Sequence, residues 1–242
     1  MPRLYCPLPL VCGSALALPP SAARHVQVLR MQPGQALTLF TGEGGEFDAV
    51  IERMGRSDVD VVVGSHRPVE RETARPVHLV VGMPANERMD WLVEKATELG
   101  VASIQPVLAQ RSVLKLQGER AGKKQAHWQG VAIAACEQSG RNKVPTVHPV
   151  VGLGQWVSAL GTITRTSQCR LLLSLAAQAQ PILTAAEHQG EVLLLSGPEG
   201  GMTAQEEELA LGIGFRRATL GPRVLRAETA PLAALAALTL DR

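Results

Sequence analysis

The residues of this chain best suited to chemistry lie in two short stretches near its C-terminus. These are Gly197-Pro198-Glu199-Gly200-Gly201 and Leu220-Gly221-Pro222-Arg223-Val224-Leu225-Arg226-Ala227-Glu228-Thr229-Ala230. The first follows an apolar run, Val192-Leu193-Leu194-Leu195-Ser196, that reads as a buried strand. It precedes Thr203-Ala204-Gln205-Glu206, a capping box that opens a helix. Strand, glycine loop and helix in that order hold a small ligand at the carboxyl end of an α/β sheet. No lysine follows the glycines, and Glu199 would repel a phosphate, so this is not the usual phosphate cradle; the dinucleotide fingerprint is missing too. A carboxylate in a glycine loop suits a ligand with hydroxyls or positive charge, such as a ribose or a sulfonium. The alternative is a tight turn in which Glu199 is solvated or caps the next helix. The second stretch repeats the plan on a strand over 215–220, expected to neighbour the first. Its Arg226, Glu228 and Thr229 are set among apolar Leu220, Val224, Leu225, Ala227 and Ala230, as if facing a cleft. Otherwise they form a surface ion pair worth at most about 1 kcal/mol.

These loops need a scaffold. From about residue 76 the pattern alternates strands and helices: strands at 77–81, 104–107, 170–175, 192–196 and 217–220, helices at 87–99, 123–138 and 155–160. Met89, Leu92, Val93, Ala96 and Leu99 share one helical face, and Gly100 closes that helix. The alternation predicts an α/β domain with a mostly parallel sheet covered on both faces. A last helix, 231–240, is apolar nearly all round and needs cover on several sides, for which a subunit interface is one source. Residues 1–72 are instead β-rich. Strands at 36–40 and 47–51 flank a glycine-rich hairpin over 41–46, another strand covers 59–63, and a short helix is predicted from Ser21, its N-cap, to Leu29. A small barrel is the expected outcome, joined by a charged linker at 70–75.

The formal net charge of +2 does not announce a polyanion partner, but its distribution does better. Residues 111–143 carry seven basic groups against two acidic, and 216–226 carry four arginines and no acid, whereas residues 1–72 carry seven basic against eight acidic. A local basic patch on a balanced protein suits RNA or another polyanion; a solvated helix face is the alternative. Cysteines 6, 12, 136 and 169 show neither C-x-x-C nor zinc spacing, and read as reduced and mostly buried. No apolar run approaches a membrane span and no signal-peptide core is visible, so a cytoplasmic protein with no membrane partner is expected.

Taken with Glu137-Gln138-Ser139-Gly140-Arg141, the two loops resemble the RsmE family of RNA methyltransferases, members of the SPOUT superfamily that use S-adenosyl-L-methionine (AdoMet). Residues 89–100, Met-Asp-Trp-Leu-Val-Glu-Lys-Ala-Thr-Glu-Leu-Gly, look like the family's first long helix. Arg24-His25-Val26, Val28-Leu29-Arg30 and Pro33-Gly34 look like its N-terminal signature. The likeness spans nearly the whole chain. One departure is Pro84-Ala85-Asn86, standing where the family commonly has a lysine.

The resemblance implies a PUA-like β-barrel over 1–72 that binds RNA, then a SPOUT-type α/β domain over 73–242 whose C-terminal segment forms a trefoil knot. It implies a homodimer and methylation of N3 of one uridine of 16S rRNA, nucleotide 1498 in conventional numbering, within the assembled small ribosomal subunit. AdoMet would be held by Leu173, Ser174, Leu195, Gly197, Pro198, Glu199, Gly200, Gly201, Leu220, Gly221, Leu225 and Thr229, with no metal. The chemistry is plausible for these residues. N3 of uracil is an imide nitrogen whose lone pair is freed when its proton leaves, so a base such as Glu228 or Glu199 and a cation such as Arg226 are the candidate catalytic groups. Candidate RNA-binding residues are Arg3, Arg24, His25, Arg30, Arg111, Lys115, Lys123, Lys124 and Arg141. Aromatic residues make up only 3% of the chain, so phosphate contacts and RNA shape should outweigh base stacking. Two rival functions share the fold: ribose 2′-O-methylation, and non-catalytic RNA binding in ribosome assembly.

Overall fold

A computed structural model describes residues 1–85, 87–161, 168–186 and 190–240. Two compact units emerge, Met1–Glu72 with Ile133–Val144, and Thr73–Ala132 with Pro145–Arg242. The inclusion of 133–144 in the first unit had no signal in the sequence.

The first unit contains β1 (Arg3–Tyr5), β2 (Ala15–Ala17), α1 (Pro20–Val28), β3 (Ala36–Phe40), β4 (Glu46–Met54) and β5 (Val59–Arg67). The strands pair in the order β1-β3-β4-β5-β2, with β1 parallel to β3 and the rest antiparallel. α1 buries Ala22, Ala23 and Val26 in a core with Leu4, Leu37, Leu39, Ile51, Val61 and Val63. The expected cap at Ser21 is corrected. Pro19 is the N-cap and Pro20 the first helical residue, because proline has no N–H to satisfy there and its φ is already helical. The register of β3 on β4 closes the 41–46 hairpin, as its glycines predict.

This unit is also bound together by charge. Glu46, buried at 2% exposure, receives Arg3 at 2.5 Å, Arg67 at 3.1 Å and Arg71 at 3.2 Å. Burial alone would raise the Glu46 pKa, but the hydrogen bonds and charges of Arg3 and Arg71 outweigh it and hold the carboxyl below its usual range. Arg3 also donates to Asn142 Oδ1 (2.6 Å), Arg141 pairs with Glu72, and the Glu137 carboxylate accepts from the Tyr5 N–H (2.9 Å). The segment 133–144 is thus tied to the strands by buried polar contacts rather than by an apolar seam.

The second unit comprises β6 (Val77–Gly82), α2 (Glu87–Glu98), β7 (Ser103–Leu108), most of α3 (Gly118–Ser139), β8 (Thr146–Val147), β9 (Val151–Gly152), α4 (Leu153–Leu160), β10 (Gln168–Leu173), β11 (Gln180–Pro181), α5 (Ile182–Ala185), β12 (Glu191–Ser196), α6 (Ala204–Gly212), β13 (Arg216–Thr219) and α7 (Thr229–Thr239). Its strands run in the order β11-β13-β10-β12-β6-β7-β8, with β9 on β7, and every pair is parallel. Alternate residues of the central strands enter two cores. Leu79, Val81, Val192 and Leu194 pack with α2 and α7, while Val80, Leu193 and Leu195 pack with α4 and α6. A sheet buried on both faces explains why these strands read as continuous apolar runs. α2 buries Met89, Leu92, Val93 and Ala96, and Gly100 ends it at φ +87°. Much of the cover for apolar α7 comes from α2, α5, β6 and β12 of its own chain. All four cysteines are free and three are buried; burial pushes the Cys136 thiol up to about 12.

Candidate functional site

Because the sheet is parallel, β10, β12 and β13 all present their carboxyl ends at one edge. The two glycine loops leave β12 and β13 there. They do not sit on neighbouring strands, as the sequence suggested: β10 runs between them. The reason lies in pairing register, where Leu171 and Leu172 of β10 meet β13 on one side and β12 on the other. The segment after β10 therefore joins the loops as a third wall.

The three segments enclose a cavity of about 690 Å³. Of the candidate site residues, Leu173, Ser174, Gly197, Pro198, Glu199, Gly200, Gly201, Leu220, Gly221, Leu225 and Arg226 line it. Leu195 and Thr229 do not: Leu195 is wholly buried within the sheet core, and Thr229 begins α7. Glu228 does not line the cavity either. It stands buried at its edge, with Oε1 3.7 Å from Arg88 Nε and Oε2 without a hydrogen-bond partner among the described residues.

Local sequence explains how each loop is held. Thr203 caps α6 by accepting the Glu206 N–H, while the Glu206 carboxylate accepts the Thr203 N–H at 2.9 Å, the capping box the sequence predicts. Glu206 also accepts the Gln110 N–H (2.7 Å), and Arg111 donates to the Gly200 carbonyl (3.1 Å), so the segment after β7 clasps the glycine loop. Gly200 packs where a Cβ would lie 2.9 Å from Arg111 Cβ. Gly201 (φ +69°) and Gly221 (φ +104°) adopt left-handed conformations and leave open space where a side chain would stand.

Sequence reasoning missed Arg88. It lies in the first turn of α2, lines the cavity, and places Nη1 3.5 Å from Glu199 Oε1 and Nε 3.7 Å from Glu228 Oε1. Glu199 in turn accepts the Ala85 N–H at 2.9 Å. The signal that would have found Arg88 is the strand–loop–helix pattern of 77–98, the same plan as the two glycine loops but without their glycines. Asn86, beside it in the stretch where the resemblance expects a lysine, lies outside the described residues.

The cavity fits an AdoMet-like ligand. Its volume is that of a small-molecule pocket. Leu173, Leu175, Met202 and Leu225 supply apolar cover, the glycine loops supply bare backbone, and carboxylates stand ready for hydroxyls or a positive centre. Among the described residues no group of three or more His, Cys, Asp or Glu is placed to hold a metal ion, and no helix is long and apolar enough to cross a membrane.

The candidate RNA-binding residues divide. Arg24, Arg30, Arg111, Lys115 and Lys123 are exposed, and Lys124 is half-buried. His25 is half-buried with Nδ1 3.4 Å from Glu137. Arg3 and Arg141 are corrected as free cations: both are largely buried and engaged with Glu46, Asn142 and Glu72, because the buried carboxylates of that unit need counter-charges.

Residues 71–239 match the RNA methyltransferase domain family and 18–64 the RNA methyltransferase PUA domain family. Ribosomal RNA small subunit methyltransferase E of Bacillus subtilis is 31% identical over 217 residues, 88% of this chain and 85% of that protein. The crystal structure of the methyltransferase of the same name from Neisseria gonorrhoeae, bound to S-adenosyl methionine, superposes with a TM-score of 0.92 at 38% identity, covering 98% of this chain and 96% of that one. A Legionella pneumophila structure solved with bound SAM gives 0.91 and 39%, with the same coverage. The two domain-family matches and the relatives that align over nearly the whole chain make this chain, with its N-terminal PUA domain and SPOUT-type α/β domain, a member of the ribosomal RNA small subunit methyltransferase E family.

Proposed function

We propose that this protein transfers a methyl group from AdoMet to N3 of a single uridine of 16S rRNA, the position the family resemblance implies, within the assembled small subunit in the cytoplasm. It acts in this reading as a homodimer whose C-terminal segment is knotted. The observation that carries the proposal is the 690 Å³ cavity at the ends of β10, β12 and β13, which combines glycine-walled backbone with an arginine-rich rim. When bound, AdoMet supplies a methyl group already activated on sulfonium sulfur. The chain's own task is to bind and orient the reactants, with the electrostatic stabilisation that N3 requires. Leu173, Ser174, the 197–201 loop and the 220–225 loop hold the cofactor. Arg226 and Arg223, exposed on the rim, face the incoming RNA, and the cations of 111–124 extend the phosphate-binding track.

The deciding experiment is methyl transfer to naked 16S rRNA and to small subunits lacking the modification, with the product nucleoside identified by mass spectrometry. N3-methyluridine from the subunits is the expected result. A ribose-methylated product would replace this reading with the 2′-O alternative. Absence of both transfer and calorimetric AdoMet binding would point to a non-catalytic assembly factor.

A further inference from the structure

We propose that Arg88 is a catalytic residue: its guanidinium donates to the uracil oxygen that gathers negative charge as N3 loses its proton, and Glu199 and Glu228 hold it in position. The inference rests on the N3-methylation reading and adds a residue that neither motif contains.

Arg88 is the cation of the cavity wall whose placement is fixed by the fold. It sits in the first turn of a helix whose next residue, Met89, is wholly buried. The side chain makes no hydrogen bond among the described residues. Its two carboxylate neighbours stand at 3.5 and 3.7 Å, near enough to orient it by charge but beyond hydrogen-bond length. Its N–H groups are therefore available to a ligand. A planar guanidinium can span two acceptors, and a uracil anion spreads its charge over N3 and two flanking carbonyl oxygens. The α2 N-terminus adds positive potential at the same place. Two carboxylates against one guanidinium would leave this corner negative, but Arg223 and Arg226 also line the cavity, and the other lining carboxylate, Glu207, is neutralised by Arg217 at 2.9 Å.

The same geometry argues against Glu228 as the proton acceptor. Its Oε2 is buried, its Oε1 faces the Arg88 guanidinium, and its side chain does not line the cavity. In the step proposed, the N3–H bond breaks, its proton passes to solvent water, and the electron pair stays on the uracil, neutralised by Arg88. That pair then forms the N3–carbon bond, while the pair of the broken carbon–sulfur bond remains on sulfur. Arg88 thus makes the imide a stronger acid at neutral pH.

The test compares wild type, Arg88→Gln and Arg88→Lys on small subunits lacking the modification, from pH 6.5 to 9.5, with AdoMet affinity measured by calorimetry. Arg88→Gln should lower kcat on the order of 100-fold near pH 7. Its AdoMet Kd should stay within about threefold, since binding and transition-state stabilisation are separate quantities. The deficit should narrow as pH rises, because hydroxide then removes the N3 proton unaided. Arg88→Lys should retain clearly more activity than Arg88→Gln, and added guanidinium ion should partly restore the glutamine variant. Wild-type turnover in Arg88→Gln, a deficit constant with pH, or a loss of AdoMet affinity as large as the loss of rate would each overturn the proposal. If the wild type itself makes no N3-methyluridine, the underlying reading fails; if wild type and Arg88→Gln make it equally well, only the role of Arg88 fails.

Discussion

Gly82 and Pro198 meet so closely that a Cβ on Gly82 would lie 2.5 Å from both the nitrogen and Cδ of Pro198. The contact joins the end of β6 to the glycine loop after β12, two strands in register at Val81 and Ser196. Gly82→Ala must push the Pro198 ring outward and shift the whole 197–201 loop. Overpacking of this kind costs about 1–3 kcal/mol. We expect a lower Tm and an AdoMet Kd raised at least tenfold, read by calorimetry. Unaltered affinity would mean that the loop tolerates displacement.

Glu228→Gln separates two roles for that side chain. If Glu228 accepts the N3 proton, the glutamine variant loses nearly all turnover at neutral pH. If it only orients Arg88, glutamine preserves shape and a polar contact, and kcat should drop about tenfold, equivalent to roughly 1.4 kcal/mol. We expect the smaller loss, narrowing as pH rises in the same way as that of Arg88→Gln.

Glu46 makes the first unit acid-sensitive. Its folded-state pKa lies below the ordinary value of 4.5, so its contribution is complete above that value and is lost as pH falls through the folded-state pKa. Glu46→Gln should destabilise the unit by about 3 kcal/mol at pH 7, since it strands Arg3 and its neighbours. The difference from wild type should shrink below pH 4 in denaturant titrations. A constant difference would show that charge is not what Glu46 contributes.

The exposed and buried cations should part company under mutation. Lys115, Lys123 and Arg111 face solvent, so Lys115→Ala with Lys123→Ala should weaken RNA binding and flatten its salt dependence by about two counterions, with stability unchanged. Arg141→Ala should instead lower Tm, because it leaves the Glu72 carboxylate without its bidentate partner. Filter-binding at several salt concentrations, paired with thermal melts, reads both.

Much of this protein was legible before any coordinates. Helix α2, its glycine stop, the Thr203 capping box and the central strands follow from periodicity and local chemistry, because each is decided by residues within a few positions of one another. Both glycine loops announced a ligand for the same reason. The failures were also local in kind. A strand of apolar residues does not say which of them end at a cavity, so sequence alone does not separate Leu195, which lies inside the sheet, from the residues of the cavity wall.

What tertiary structure alone decided is which separated pieces meet. Strand order placed β10 between the loops and so built a three-walled cavity. It also brought the first turn of α2 against Glu199 and Glu228, giving Arg88 a place no motif records. Buried charge pairing between residues such as Arg3 and Glu46, or Arg141 and Glu72, turned two expected RNA contacts into structural ties. Residue types and spacing mark the two glycine loops as the candidates to hold a small ligand. Long-range register, invisible to any local pattern, determined which charges face the cavity.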